Sequence, residues 1–283
     1  MAGGRSPAEI WQQFREESIY KAAVTLNPAA NVVRWAHEGA DLSDFAAVVS
    51  HYPRSEFDSP VRSTVPLLAF WQPGGSRILE FARALGAPLS DFATLHFEYQ
   101  VPVQAGTGKP SCTDLMILSD GAIVAIEAKF TEPRYEPVVN WLGQPPAANR
   151  IQVLSGWFEL LQRAGGKAVA AREVAHLPYQ LIHRAASACH PPAARRWLVY
   201  QLFDPRDDAL ASYQRDMRSL VELLGPAFGV TCALATCELG RLSRYAALEA
   251  SWNSGSRDLS PSVLSGLLAG DLLAPRIKAV TAA

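Results

Sequence analysis

Cysteine is scarce in this chain of 283 residues: Cys112, Cys189, Cys232 and Cys237, with no CxxC spacing among them. That excludes a disulfide scaffold and a thiolate zinc site, and leaves free thiols suited to a reducing compartment. The histidines at 37, 51, 96, 176, 183 and 190 show no zinc spacing either. An excess of either charge is also missing. Lys and Arg total 26 against 27 Asp and Glu, so no global basic field advertises a nucleic acid. No window of about 18 residues is wholly apolar, and the start MAGGRSPAEI lacks the apolar core of a signal peptide. The expectation is a cytoplasmic protein without a membrane span. The Ser and Cys residues have no nucleophile-elbow context. GTGKP at 106–110 lacks the GxxxxGK[ST] frame of a phosphate loop and reads as a turn.

What is present is ordinary in bulk and specific in places. Hydrophobic residues make up 49% and charged residues 19%, as in a soluble domain able to bury a large core. SPAEIWQQFREESIYKAA opens on Ser6-Pro7, an N-cap with proline at the first helical position, and spaces Ile10, Trp11 and Phe14 helically. DLSDFAAVVSHY predicts a second helix capped by Asp41 or Ser43. SRILEFARALG predicts a third, stopped by Gly86. TLHFEYQVPV then alternates, which predicts a strand with Leu95, Phe97, Tyr99, Val101 and Val103 on one face. The connection TEPRYEPVVNWLGQPPAANR is too long for an ordinary loop and stands out as a candidate functional insertion. Helices at RIQVLSGWFELLQRAGG and PYQLIHRAASAC, a strand at RRWLVYQLF, a helix at RDDALASYQRDMRSLVELLG and a strand at FGVTCALATCEL follow. RLSRYAALEASW and SPSVLSGLLAG predict two more helices before an apolar, weakly patterned tail.

The most informative stretch is SCTDLMILSDGAIVAIEAKF, from Ser111 to Phe130. Two apolar runs flank Asp120-Gly121, the signal for a two-residue hairpin loop with positive φ at both central positions. With Ser119 opposite Ala122, Asp114 falls directly opposite Glu127, their Cβ atoms about 4.5–5.5 Å apart on one face. Lys129, two residues beyond Glu127, joins that face. Like charges opposed on an apolar ribbon are destabilising unless something compensates them. A divalent cation between the carboxylates would do so, and oxygen-only ligation suits Mg²⁺ or Mn²⁺ rather than zinc. The alternative is a half-exposed hairpin whose charges face water.

A meander of three strands between helices, followed by a helical crossover to a further strand, predicts an α/β fold with a mixed central sheet. In that setting Asp114 and Glu127-Ala128-Lys129 resemble the signature of the PD-(D/E)xK, or restriction-endonuclease-like, nuclease superfamily, with Thr113 in place of the nominal proline. The resemblance covers roughly residues 75–205. It implies an αβββαβ core over 73–240, with a helical N-terminal extension over 1–72 and a C-terminal helical segment over 241–283. It also implies a Mg²⁺- or Mn²⁺-dependent nuclease acting on DNA, with the homodimer common among restriction-type enzymes as a family expectation. Asp114 and Glu127 would ligate the metal, with the backbone carbonyl of Ala128 as a further ligand, and Lys129 would position water and stabilise developing charge.

Family members often add an acid from the first core helix or first strand. Glu80 matches the former and is the acid taken to support the site, against an exposed helix Glu between Arg77 and Arg83; Glu98, on the first strand, is its rival, against an edge-strand Glu. Many also place a polar residue on the helix after Glu-x-Lys. Gln180, His183, Arg184 and Ser187 form a polar stripe there, facing either the cleft or solvent, and Gln180 is the residue chosen from it. Trp141, Trp157 and Trp197 read as core more than as base platforms, and Arg62, Lys109, Arg134 and Arg150 as phosphate contacts or solvated charges. A catalytically inactive nuclease-fold scaffold, or an RNA-cleaving enzyme, is the rival reading.

Overall fold

The computed structural model describes residues 33–89 and 93–283. The helix expected from Ser6 lies outside them. The described chain is α/β: one mixed eight-stranded sheet in the order β2-β1-β3-β4-β5-β6-β7-β8, with helices on both faces. The central meander is β3 (Ala93–Val101), β4 (Ser111–Ser119) and β5 (Ala122–Lys129), all antiparallel. Strands β6 (Arg195–Phe203) and β7 (Val230–Glu238) add in parallel after helical crossovers.

The two faces of β5 divide between two cores. Ala122, Val124, Ile126 and Ala128 pack toward helices α1 (Phe45–His51), α2 (Thr64–Trp71) and α3 (Gly75–Leu85) and, from the C-terminal part, α8 (Ser243–Asn253) and α9 (Ser260–Ala269). Ile123 and Ala125 pack toward α4 (Val138–Leu142), α5 (Ala148–Arg163), α6 (Tyr179–Cys189) and α7 (Asp207–Leu224). A strand covered on both sides must be apolar nearly throughout, which is why Glu127 and Lys129 stand out in it. Trp157 and Trp197 are core residues, as expected.

The hairpin register is the expected one, from Ser119 opposite Ala122 to Leu115 opposite Ile126. The turn differs: of its two residues only Gly121 has positive φ, at 72°. The turn with positive φ at both positions is elsewhere, at Glu38 (47°) and Gly39 (88°), joining β1 (Val33–His37) to β2 (Ala40–Leu42). These strands correct the expectation of a purely helical N-terminal extension, because β1 pairs in parallel with β3 and widens the sheet. A short strand and a Glu-Gly turn carry little periodicity to read. Helix α1 is capped by Asp44, whose Oδ1 accepts from the Ala47 amide at 2.8 Å, rather than by Asp41 or Ser43. The tail, expected to be helical or irregular, ends in β8 (Arg276–Ala282), an edge strand antiparallel to β7. Its largely exposed residues explain why it showed so weak a pattern.

One further difference shapes the site. Leu95 and Phe97 enter the first core, whereas Tyr99 and Val101 enter the second. Glu98 sits between them with φ of 50°, a left-handed conformation that reverses the alternation and breaks the single apolar face expected for β3.

Candidate functional site

Asp114 and Glu127 are the next residues on β4 and β5 beyond the last hairpin pair, where the two strands begin to part. Asp114 Oδ2 accepts the Ala128 amide at 2.7 Å, so one carboxylate is fixed by the backbone of the opposite strand. Glu127 is 2% exposed and its two oxygens are engaged differently. Oε1 accepts from Lys129 Nζ and from Gln180 Nε2, each at 2.7 Å. Oε2 accepts from Nε of Arg184. Gln180 and Arg184 project from α6, so the polar stripe of that helix faces the cleft and not solvent.

The remaining expected residues separate. Glu98 joins the site: its Oε2 accepts the Cys112 thiol at 3.0 Å, and its side chain lines the same cavity as Asp114 and Glu127. Glu80 does not. It is 46% exposed on α3 and paired with Arg77 at 2.5 Å, while Arg77 also holds the Pro275 carbonyl near the β8 edge. Of the basic candidates only Arg62 lines the cavity, paired with Glu56 at 3.1 Å. Arg134 is locked bidentately to Asp216 at 2.6 and 2.5 Å. Arg150 caps the Trp141 carbonyl, and Lys109 is exposed on the loop before β4. Trp141 stacks on Tyr179 with ring centroids 3.6 Å apart, which occupies one of its faces. GTGKP is a turn docked on α5, where Asn149 Oδ1 accepts the Thr107 amide at 2.8 Å.

Four contributors were not singled out in the sequence. Arg184 belongs to the stripe from which Gln180 was chosen, and helical spacing alone does not rank the two. Glu132 bridges the end of β5 to the start of α2, accepting the Ser63 amide at 2.6 Å and the Phe130 amide at 2.9 Å. His37 and Tyr52 come from the segment read as an extension. Both are buried, and His37 Nε2 and the Tyr52 hydroxyl have no hydrogen-bond partner among the described residues.

Together these elements line a half-open cavity of about 600 Å³. Its wall carries Glu38, Glu56, Glu98, Asp114, Glu127 and Glu132 against Arg62, Lys129 and Arg184. Carboxylates outnumber cations, so an anionic ligand needs additional positive charge to enter. Burial raises Glu127, but Arg184 and Lys129 outweigh it and hold this carboxyl below its ordinary value. Asp114 goes the other way: burial, then the charge of Glu127, push it well above the usual carboxylate range. Burial, with Glu127 adding to it, also raises Glu98. Burial lowers Lys129, yet Glu127 and Asp114 more than restore it, so the ammonium stays charged.

Oxygen donors remain for a cation. Asp114 Oδ1 and Glu98 Oε1 accept no hydrogen bond among the described residues. No group of three His, Cys, Asp or Glu side chains is arranged there to hold a metal as it stands, and Glu127 is turned toward its cationic partners. The donor set is nevertheless one a hard divalent cation takes: carboxylate oxygens, with Asp114 and Glu98 raised chiefly by burial and then by neighbouring carboxylates.

The model for a domain of unknown function, DUF6946, matches residues 41–239, well over half of the chain. The chain belongs to the DUF6946 family. The matched span runs from β2 to the end of β7 and contains Glu98, Asp114, Glu127, Lys129, Gln180 and Arg184. No curated protein and no solved structure matches the chain. No helix among the described residues is long and apolar enough to cross a membrane.

The raised Asp114 carboxyl has a measurable consequence. The native state holds this proton more tightly than the unfolded chain does. The associated stability is complete below the ordinary Asp value of about 3.9 and is lost as pH rises through the folded-state value. Asp114→Asn has no such proton to lose. In metal-free protein the variant should therefore gain on the wild type as pH rises from about 4, read as urea midpoints across a pH series. Parallel curves would show that Asp114 ionises freely in the fold.

Proposed function

We propose that this DUF6946 protein is a metal-dependent nuclease that hydrolyses phosphodiester bonds of DNA, with a restriction-endonuclease-like core. The observation that carries the reading is the meeting of Asp114, Glu127 and Lys129 at one end of a central hairpin, beside an acid-rich cavity. The order of elements supports it: helix α3, the β3–β5 meander, helix α6 and β6 come in the order αβββαβ, with α4 and α5 inserted between β5 and α6.

Asp114, Glu98 and Glu127 would hold Mg²⁺ or Mn²⁺, with the Ala128 carbonyl as a further oxygen. Such an ion would supply Lewis-acid activation of water and positive charge for the phosphoryl group. The chain's own groups do the rest. Lys129, charged and 2.7 Å from Glu127, sits where negative charge grows on the phosphoryl oxygens. Gln180 bonds Glu127 Oε1 and fixes its rotamer. In the reaction a water oxygen bonds to phosphorus and the bond from phosphorus to the departing sugar oxygen breaks. One proton leaves the water and one ends on the leaving group.

The full occupation of Glu127 favours one second reading, a nuclease-fold scaffold that binds nucleic acid without cutting it. A cleavage panel of single-stranded, duplex and branched DNA and of RNA, with Mg²⁺ or Mn²⁺ and Asp114→Ala as control, separates the two. Nuclease action predicts metal-dependent cutting of a DNA substrate, lost in Asp114→Ala. Metal-independent cutting, or none on any substrate, rejects it. Size-exclusion chromatography with DNA bound would test for the homodimer.

A further inference from the structure

Arg184 is the most constrained cation in the molecule's cavity. Its side chain is 8% exposed, and its Nε donates to Glu127 Oε2. Its Nη1 donates to Ser111 Oγ at 2.8 Å. Ser111 Oγ also lies 2.8 Å from His183 Nδ1 and 3.0 Å from Ser187 Oγ. Burial, then the charge of Arg184, hold His183 well below its ordinary value. The Ser187 hydroxyl donates its one proton to the His183 carbonyl at 2.7 Å. Four side chains thus hold one guanidinium at the back of the site. Its Nη2 has no hydrogen-bond partner among the described residues, and the residue lines the cavity.

On the reading of the site as a nuclease, we infer that Arg184 takes the place of a second metal ion, so that the site admits a single divalent cation. The open donors point the same way. Arg184, Lys129 and Gln180 engage both oxygens of Glu127, so of the three acids only Asp114 Oδ1 and Glu98 Oε1 accept no hydrogen bond among the described residues. Those two oxygens, with Glu127 shared between its donors and the ion, suit one hard cation. A second ion would need the Glu127 oxygen that Arg184 already holds. A guanidinium supplies fixed charge and a free N–H for a phosphate oxygen, and it cannot be lost to chelators or competing metals. Arg184 positions Glu127 and leaves Nη2 for the substrate.

The test is a titration of Mn²⁺ alone into the metal-free full chain, by calorimetry and by electron paramagnetic resonance of the unbound ion. The wild type is expected to bind one ion. Arg184→Met removes a cation beside the ligands, so its Mn²⁺ affinity should rise by about tenfold or more. Its cleavage at saturating metal should fall by about a hundredfold or more. Arg184→Lys keeps the charge but not the fork, so its Mn²⁺ affinity should match the wild type while cleavage drops. Circular dichroism melts confirm that each variant is folded; if Arg184→Met is not, the wild-type stoichiometry and Arg184→Lys still decide. Two ions in the wild type overturn the inference and leave the nuclease reading standing. So does unchanged or weaker binding in folded Arg184→Met, or a changed affinity in Arg184→Lys. No Mn²⁺ bound by the wild type at millimolar concentration overturns both.

Discussion

Glu127→Ala is expected to destabilise the metal-free protein by about 3–5 kcal/mol, the usual loss when one partner of a buried ion pair is removed. The carboxylate accepts from Lys129, Gln180 and Arg184, and the two cations are only 12% and 8% exposed. Without Glu127 they remain in the cavity as like charges that water cannot fully solvate. Asp114→Asn should behave oppositely. It keeps an acceptor for the Ala128 amide while deleting a charge that faces Glu127 and Glu98, so stability at neutral pH should hold or rise. Urea denaturation of both variants without metal checks the contrast. A loss below about 1 kcal/mol for Glu127→Ala would mean the pair is solvated and contributes as a surface bridge does. The contrast separates the roles of two adjacent acids. Glu127 is compensated within the fold, whereas Asp114 is held at a cost the fold alone does not recover, as functional residues often are.

The hairpin was the most legible part of the molecule because its information is local. Two apolar runs and a Gly at the turn leave few registers, and a slip of one residue would put Asp114 on the opposite face. The order of elements from α3 to β6 was readable for the same reason. What escaped the sequence depends on single backbone angles or on distant partners. The Glu38-Gly39 turn and β1 lack the length that makes periodicity visible, yet they bring His37 and Glu38 to the cavity. The φ of 50° at Glu98 reverses β3 and places this carboxylate in the site, which no alternation pattern anticipates. Glu80 ranks above its rival Glu98 in the sequence, and the fold reverses that order, because neither spacing nor composition states which way α3 faces. Gln180 and Arg184 lie one helical turn apart on the same face, and only the position of Glu127 shows that both reach it.

Lys129→Ala should lower metal-dependent cleavage by about 10²–10³-fold, the usual effect of deleting one preorganised stabiliser of transition-state charge. The lysine is the best test of chemistry in this site, because it is adjacent to the proposed ligands without being one. Its amine is kept protonated by Glu127 and Asp114, so its contribution is charge and orientation rather than proton abstraction. Two consequences distinguish these roles. Mn²⁺ binding by Lys129→Ala should be retained, since the variant removes positive charge from the ligand set and leaves every oxygen donor in place. The pH–rate profile of the wild type should rise without a limb belonging to a lysine acting as base. Substrate cleavage, Mn²⁺ calorimetry and a pH series on the two proteins measure all three. Full activity in Lys129→Ala would reduce the lysine to a partner of Glu127 and leave Arg184 and Arg62 as the cavity cations, among the described residues, to meet the phosphoryl charge.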